Sequence, residues 1–302
     1  GYMIVFAMEK LKEIFFDFLD NLEEKEYLCE LKNFGFKGEV LPDYQNKFIQ
    51  QYYLLKYFPA YLTEYYFLYN EIIKRNFIKE NYNILSIGCG CGIDFWGMKL
   101  ANEKSNKNLN IKYTGVDIIN WSYWENYDYN AKVITKDILD FDLNDNNYNI
   151  IIFPKSIGEF NDEEFERLKD SFRNSSFKSD KLTIVLSLRK ARNTRDARRG
   201  IEIFNIIQNE LGYIAKDPLK ECYSFEKKRN GFAYRIEDIL PEFGYPSSLS
   251  DFLSDYYLDF LEDNPCPFKK FCEENVFSRK PVKTMSQVCF NIVNFERRQH
   301  DC

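Results

Sequence analysis

Glycines at alternate positions follow directly after a short apolar run and form the first pattern in the chain that points to chemistry. The run covers residues 84–87, and the glycines are Gly88, Gly90 and Gly92. Glycine is needed where the backbone turns sharply and approaches a ligand closely, because a Cβ atom there would collide. A dinucleotide fingerprint has the spacing G-x-G-x-x-G, whereas Ile93 follows Gly92, so the third glycine comes one residue too early. The pattern predicts either a ligand loop of another kind or a tight turn from strand to helix.

Acidic residues follow the next two apolar runs. Asp117 closes the triplet Gly115-Val116-Asp117, where a carboxylate can accept the protons of both ribose hydroxyls. Asp137 stands in the triplet Lys136-Asp137-Ile138 after the following run. The alternative interpretation of Asp117 is a solvated carboxylate at the end of a strand.

The glycine loop and the two acidic triplets together resemble the class I S-adenosylmethionine-dependent methyltransferases, over residues 81–188. The resemblance implies that the loop passes beneath the methionine part of S-adenosylmethionine and that Asp117 holds the ribose. It also implies that Asp137 takes the adenine amino group while the next backbone amide meets the ring. The family often has an acidic residue where this chain has Ser86. The implied cofactor-binding residues are Ser86, Gly88, Cys89, Gly90, Gly92, Asp117, Ile118, Asp137, Ile138 and Pro154.

The fourth apolar run ends in the stretch 152–160, where many methyltransferases carry a substrate motif. The stretch lacks both the Asn/Asp-Pro-Pro-Tyr/Phe motif of enzymes that methylate exocyclic amines and the Pro-Cys nucleophile of cytosine-carbon methyltransferases. Methyl transfer gains much of its rate from alignment and exclusion of water, so no strong base is required. Lys155 and Glu159 are candidates to line the pocket and move a proton. Their alternatives are a solvated lysine and a helix-capping glutamate.

Cysteines in the C-terminal third suggest a metal site. Cys222, Cys266, Cys272 and Cys289 offer four thiolates, which would suit Zn²⁺ or an iron–sulfur cluster. No Cys-x-x-Cys occurs, and free cysteines are often buried as small hydrophobic residues, which is the alternative.

A second, weaker resemblance is to the methyltransferase-like factors that assist assembly of small ribosomal subunits. It rests on the stretch 55–61, on Ser156 and Glu159, and on Cys266-Pro267 with Cys272 six positions on. Those proteins carry a cysteine-ligated metal cluster. This chain departs from them in the spacing to Cys289, in lacking a Cys-His pair there and in its acidic balance.

A basic stretch follows the fifth apolar run. Residues 189–199 contain six Arg or Lys and a single acidic residue, Asp196. Such a stretch can contact the phosphates of RNA or an anionic substrate, or it can be the solvated start of a helix. The only histidine is His300, which argues against a His-based catalytic triad or a His-rich metal site.

The elements that must position these residues alternate along the chain. Strands are predicted at 83–87, 111–116, 132–135, 148–153, 182–188, 221–225 and 287–295, and crossover helices at 94–103, 162–172 and 200–211. This alternation predicts an α/β fold with a Rossmann-like, doubly wound, mostly parallel seven-stranded sheet. Residues 1–80 are predicted to be an N-terminal helical cap, with helices at 9–34 and 48–77, the second interrupted at Pro59. Residues 81–302 are the predicted methyltransferase domain, with an insertion at about 227–286.

Composition limits the classes of function. Hydrophobic residues at 45% and aromatic residues at 18% predict a globular chain rather than a disordered one. A net charge of -6 and a pI near 5.2 argue against a surface that grips nucleic acid throughout. The apolar stretch 3–8 is too short for a signal peptide, and no run reaches the length of a membrane span, so a cytoplasmic protein is expected.

Two functions from different classes remain open at this point. The first is a methyltransferase acting on a small molecule, RNA or protein, with Tyr52, Tyr53, Tyr57 and Tyr61 either in the pocket wall or only packed in the core. The second is a catalytically silent binding or ribosome-assembly factor with a cysteine-ligated metal site. Fold alone does not decide between them.

Overall fold

A computed structural model describes most of the chain, which divides into two compact units. Its described residues are 2–23, 43–123, 130–144, 147–188, 194–219, 223–224, 234–243 and 289–299. The helices are α1 (Tyr2–Glu23), α2 (Lys47–Arg75), α3 (Ile93–Ser105), α4 (Asp162–Arg173), α5 (Thr194–Asn209) and α6 (Ile236–Ile239). The strands are β1 (Asn81–Ile87), β2 (Asn110–Asp117), β3 (Ala131–Thr135), β4 (Ile150–Pro154), β5 (Lys181–Leu188), β6 (Tyr213–Ala215), β7 (Tyr223–Ser224) and β8 (Cys289–Arg297).

A single sheet organises the larger unit, in the order β3-β2-β1-β4-β5-β8-β6. The pairs formed among β1 to β5 are parallel, whereas β8 runs antiparallel between β5 and β6. The two-residue β7 pairs with the beginning of β8, whereas β6 pairs with the end of β8. The predicted Rossmann-like, mostly parallel sheet is therefore confirmed, with seven strands along this order and the short β7 as an eighth.

Helices cover both faces of this sheet, which explains why its central strands are almost continuously apolar. On one face, α4 and α5 pack over a core that includes Val116, Phe153 and Phe204. On the other face, α3 contacts β2, where the rings of Phe95 and Tyr113 lie 5.0 Å apart. All five residues of β4 are buried. The rigid sheet therefore fixes the strand ends from which the loops emerge.

The smaller unit is helical where it is described. Among the described residues it comprises those up to Thr63, Trp121–Tyr123 and Tyr234–Phe243. In it α1 packs on the first half of α2, with the rings of Phe18 and Phe48 stacked 4.9 Å apart. The division of the chain at residue 80 and the insertion at 227–286 stay predictions.

One local prediction was wrong, and one strand was not predicted. Helix α2 is unbroken from Lys47 to Arg75 although Pro59 lies inside it. Proline removes one backbone hydrogen bond, and the close aromatic packing around α2 outweighs that loss. Strand β6, at Tyr213–Ala215, was missed. Strand β7 lies within the strand expected at 221–225, whose other residues are outside the described ones. None of the described helices combines the length and apolarity that a membrane span requires.

Candidate functional site

The order in which successive strands are added to the sheet reverses between β1 and β4. From β1 the chain adds β2 and β3 on one side, and from β4 it adds β5 on the other. In open α/β sheets, the crevice outside the carboxyl ends of the strands at such a point is where ligands bind. The residues that leave β1 and β4 at this edge are Gly88 and Lys155.

The glycine loop that follows β1 has a backbone that requires glycine at each of its three glycine positions. The φ angles of Gly88, Gly90 and Gly92 are 72°, 57° and 76°, all in the left-handed region that disfavours residues with a Cβ. A Cβ on Gly88 would also lie 2.5 Å from the Cβ of Ser156. The Ser156 hydroxyl donates a hydrogen bond to the carbonyl oxygen of Ile87 at 2.5 Å. These contacts with Ser156 hold the loop against the residues that follow β4.

Asp117 holds the glycine loop from the other side. Its Oδ2 accepts a hydrogen bond from the backbone N–H of Gly90, and its Oδ1 accepts one from Ile119, each at 2.8 Å. Burial raises the pKa of Asp117, and these two hydrogen bonds offset only part of the rise. Each carboxylate oxygen retains acceptor capacity beyond these bonds, since an oxygen has two lone pairs. Asp117 therefore orders the loop while still being able to accept further donors.

The cysteines between the glycines face the interior. Cys89 and Cys91 are both buried and unbridged. Burial raises the pKa of the Cys89 thiol well above its ordinary value, and the nearby Asp117 raises it further. A thiol that stays protonated is a poor nucleophile and a poor metal ligand. Cys89 thus contributes packing and backbone position to the loop.

The residues predicted on the adenine side occupy the ends of β2 and β3. Ile118, next to Asp117, is 61% exposed, which is unusual for a large apolar side chain. The side chain of Asp137 accepts a hydrogen bond from Leu139 N at 2.9 Å and caps the 3-10 turn Ile138–Asp140. The side chain of Ile138 is buried in the core, so only its backbone is available to a ligand.

The residue that follows β4 has a strained backbone and a buried charge partner. Lys155 has a φ of 57°, a conformation that costs a non-glycine residue about 1 kcal/mol or more. Its ammonium lies 2.5 Å from Oε2 of Glu64 on α2, and the two side chains are only 9% and 5% exposed. Burial raises the pKa of Glu64, and Lys155 offsets part of that rise. The ion pair is therefore enclosed within the fold.

Glu159 is placed differently from Lys155. It belongs to the 3-10 turn Ile157–Glu159 and is exposed. The backbone N–H of Glu159 donates to the carbonyl oxygen of Ser156 at 3.0 Å. The structure thus brings Lys155 together with a second charged group and leaves Glu159 at the surface.

Part of the basic stretch 189–199 supports this same loop. Arg199 is buried, and its guanidinium donates to the carbonyl oxygens of Ile157 and Phe160 at 2.9 and 2.7 Å. It also forms an ion pair with Asp162 at 3.1 Å. Arg195 and Arg198 are exposed, whereas residues 189–193 lie outside the described residues. At Arg199 the prediction of a phosphate contact was wrong, because that side chain is used inside the protein.

A buried polar cluster lies behind the glycine loop, and no pattern in the sequence indicated it. Asp94, in the first turn of α3, is 1% exposed, and Ser86 on β1 is 0% exposed. The hydroxyl of Tyr113 donates to Oδ1 of Asp94 at 2.9 Å. Burial raises the pKa of Asp94 to about 6, and the nearby Ser86 and Tyr113 hydroxyls offset part of the rise.

The predicted metal ligands cannot be placed. Cys222, Cys266 and Cys272 lie outside the described residues, and of Cys289 only the backbone at the start of β8 is described. Within the described part of the chain, no group of three or more His, Cys, Asp or Glu side chains is arranged to hold a metal ion.

The tyrosines predicted near the pocket form a ladder on α2 in the smaller unit. Tyr53, Tyr57 and Tyr61 are spaced by one helical turn, and the rings of Tyr57 and Tyr61 stack 5.3 Å apart. Trp121 lies 5.6 Å from Tyr53. Tyr52 is buried and contacts Phe18, so it belongs to the core of this unit.

Comparisons with known proteins find similarity only among solved structures. No family model and no curated protein matches the sequence. The plantazolicin methyltransferase BpumL, solved with a triazolic desmethylPZN analog and SAH, is 14% identical with a TM-score of 0.41, over 96% of this chain and 100% of that chain. A SAM-dependent methyltransferase from Geobacter sulfurreducens, solved with S-adenosyl-L-homocysteine, is 12% identical with a TM-score of 0.37, over 78% and 91%. YcgJ from Bacillus subtilis is 13% identical with a TM-score of 0.38, over 79% and 100%. At such low identity and TM-score these matches carry no argument about this chain.

Proposed function

We propose that this chain is an S-adenosylmethionine-dependent methyltransferase. The observation that carries the proposal is the loop of three left-handed glycines at the end of β1, tied through Gly90 to the carboxylate of Asp117 at the end of β2. The sequence spacing rules against a dinucleotide fingerprint, and the carboxylate matches the need of a ribose for an acceptor. The acceptor of the methyl group is a small molecule, RNA or protein.

The residues at this edge fit the parts of the cofactor. The absence of a Cβ at Gly88 makes room for Ser156, which holds the loop in place, and the remaining lone pairs of Asp117 suit the ribose hydroxyls. The exposed side chain of Ile118 offers an apolar surface to the adenine ring, with Asp137 and the backbone of Ile138 at its edge. When bound, the cofactor supplies a methyl group activated by a sulfonium.

The Lys155–Glu64 pair is the proposed group for handling a proton. An acceptor N–H or O–H loses its proton as the methyl group is added, so a nearby base can assist. Lys155 stands at the carboxyl end of β4, one residue before Ser156, which holds the glycine loop. In the proposed step the Lys155 ammonium passes one proton to the Glu64 carboxylate, and the resulting neutral amine accepts the proton that the methyl acceptor releases. Glu159, on the exposed turn, is the weaker candidate.

The assembly-factor function with a metal site has no supporting observation among the described residues. Three of its four cysteines lie outside them, and the fourth is described only in its backbone. We therefore put forward only the methyltransferase.

Calorimetric titration of the full chain with S-adenosylhomocysteine, and separately with NAD⁺, tests the proposal. We expect micromolar binding of S-adenosylhomocysteine and no heat of binding with NAD⁺. Binding of NAD⁺ alone would assign a dinucleotide site instead. Folded protein that binds neither ligand would contradict any nucleotide-cofactor function for the loop.

A further inference from the structure

The loop after β4, residues 155–160, connects the buried ion pair with the glycine loop. It begins with Lys155, whose φ of 57° is a conformation that a residue with a side chain adopts only at a cost. Next comes Ser156, whose hydroxyl donates to the carbonyl oxygen of Ile87 and whose Cβ takes the space beside Gly88. A strained backbone persists only where the surrounding structure fixes it. The groups that fix this loop therefore decide where Lys155 and Ser156 stand.

Arg199, on α5, binds the far part of this loop. Its Nη1 donates to the carbonyl oxygens of Ile157 and Phe160 at 2.9 and 2.7 Å. Its Nη2 lies 3.1 Å from Oδ1 of Asp162, and the guanidinium stands 4.6 Å from the centroid of the Phe165 ring. Both protons of Nη1 are thus used on the loop, while the acid and the ring fix the plane of the guanidinium. One side chain therefore holds two separate points of the loop.

Its ion pair does not explain why this charge is buried. Arg199 is 4% exposed, whereas the side chain of its partner Asp162 is 97% exposed. An acid in contact with water contributes little to an ion pair, and a buried cation is costly unless its hydrogen bonds are satisfied. Apolar residues in place of buried charges are often no less stable. The hydrogen bonds from Arg199 to the loop are therefore what offsets its burial, and their effect is on the geometry of the loop.

We propose that Arg199 is a positioning residue for the glycine loop and for Lys155. The guanidinium holds two carbonyl groups of the loop after β4, this loop keeps the Ser156 hydroxyl on its acceptor, and Ser156 holds the glycine loop at Gly88. The inference rests on the proposed function for the ligand that the glycine loop binds. The coupling from Arg199 to the glycine loop is a property of the free protein and is measurable without that ligand.

Arg297 provides a matched control at the opposite edge of the sheet. It is the last residue of β8, and this end of β8 pairs with the start of β5. Its guanidinium donates to the carbonyl oxygen of Phe177 at 2.5 Å, pairs with Asp180 at 3.0 Å and stands 5.0 Å from the ring of Tyr213. Arg297 thus has the same three kinds of partner as Arg199, but it lies away from the glycine loop.

Amide hydrogen exchange of the free full chain tests the coupling. The backbone amides of Gly88, Gly90 and Gly92 are all hydrogen-bonded, so their exchange reports the opening of the loop. Arg199→Lys keeps the charge but loses the planar fork that reaches both carbonyl groups. We expect exchange over residues 88–92 to become about tenfold faster or more in Arg199→Lys, the usual value of a hydrogen bond to a charged group. In Arg297→Lys it is expected to stay within about twofold of the wild type.

A double variant tests whether the effect passes through Ser156. Ser156→Ala alone is expected to speed exchange over residues 88–92. Adding Arg199→Lys to it is then expected to speed exchange by less than about twofold more, because the route is already cut. Full additivity of the two changes would overturn the proposed route. Asp162→Asn, which removes the partner of Nη2 at an exposed position, is a milder variant in case Arg199→Lys fails to fold, and a smaller effect confined to the same loop is expected.

Urea unfolding of each variant separates loosening of the loop from loss of global stability. Exchange over residues 88–92 that is equal in a folded Arg199→Lys and the wild type would overturn the positioning role. Faster exchange throughout β1, β4 and β5 would also overturn it, because that pattern marks global unfolding. Calorimetric titration with S-adenosylhomocysteine is expected to show about tenfold weaker binding in Arg199→Lys. A wild type that does not bind this ligand would contradict the proposed function, and the exchange data would still decide the role of Arg199.

Discussion

Gly88 has both a left-handed backbone and no room for a Cβ atom, whereas Gly212 has only the left-handed backbone. The φ of Gly88 is 72°, and an added Cβ would lie 2.5 Å from the Cβ of Ser156. Gly212 has a similar φ of 78°, but nothing lies within 4 Å of its added Cβ. The pair therefore separates backbone strain from steric collision in one protein.

Gly88→Ala is predicted to lower the free energy of unfolding by about 2 to 4 kcal/mol, from strain plus overpacking. Gly212→Ala carries the strain alone and is predicted to cost about 1 to 2 kcal/mol. Urea unfolding followed by circular dichroism measures both. Equal losses of unfolding free energy in the two variants would show that Ser156 moves to accommodate the added methyl group and does not hold the loop tightly.

Asp94 is predicted to make stability depend on pH in an unusual direction. Burial raises its pKa from 3.8 to about 6, so between these values the folded chain holds a proton that the unfolded chain releases. This carboxyl stabilises the fold below its unfolded pKa, and that contribution is lost as the pH rises through about 6. Asp94→Asn stays neutral, so at pH 7.5 it is predicted to be about 1 to 3 kcal/mol more stable than the wild type.

The difference between Asp94→Asn and the wild type is expected to shrink as the pH falls toward 4.5, and urea unfolding across this range measures it. Asp140→Asn, at an exposed position, is the control and is expected to match the wild type throughout. A less stable Asp94→Asn at pH 7.5 would mean that the carboxylate already has a partner in the free protein.

The sequence pointed to candidate groups that follow strands, whose binding roles stay predictions, and it did not point to the buried acidic groups inside helices. The glycine loop and Asp117 can be recognised in the sequence, because the spacing of the glycines and an acidic residue after an apolar run are both local patterns. Glu64 and Asp94 stand within helical stretches, where an acidic residue is normally on the solvated face. Their burial depends on which helix covers the sheet edge, and that is decided by tertiary packing.

At the scale of elements, the Lys155–Glu64 ion pair joins the end of β4 to α2. Glu64→Gln leaves a buried ammonium without its counter-charge, and such a change typically costs about 3 to 5 kcal/mol. The exposed pair Arg173–Glu210 between α4 and the end of α5 is the matched control. Glu210→Gln is predicted to cost less than about 1 kcal/mol.

The double variant Glu64→Gln with Lys155→Met tests the same pair by removing both charges. Breaking a buried pair costs more than replacing both partners, so the double variant is predicted to recover much of the loss seen in Glu64→Gln. Thermal and urea unfolding give the coupling energy. A Glu64→Gln variant as stable as Glu210→Gln would contradict a tight, enclosed ion pair.

Element prediction failed where the element was short or where packing outweighed a local rule. Strand β6 has three residues, Tyr213 to Ala215, too few for an alternating pattern to be seen. Its place is set by pairing with β8, which comes more than 70 residues later in the chain. Pro59 predicted a break in α2 that does not occur, because a helix can tolerate the loss of the one hydrogen bond that proline removes.

At the scale of the whole molecule, the order of strands brings the site together. Residues from β1, β2 and β4 meet because β1 lies between β2 and β4 in the sheet. The alternation of apolar runs and helices in the sequence predicted a doubly wound, mostly parallel sheet but neither the strand β6 nor the order of the strands. The identity of the methyl acceptor was not predictable, because it depends on the loops and on segments that vary independently of the sheet.

The most direct measurement of the central claim is calorimetric titration of S-adenosylmethionine into the wild type, Asp117→Ala and Asp140→Ala. Asp117 both orders the glycine loop and is the proposed ribose acceptor, whereas Asp140 is an exposed acid on the neighbouring turn. Micromolar binding is predicted for the wild type and Asp140→Ala, with a loss of at least about tenfold in Asp117→Ala. Equal binding by folded Asp117→Ala, or no binding by the folded wild type, would contradict the cofactor site described here.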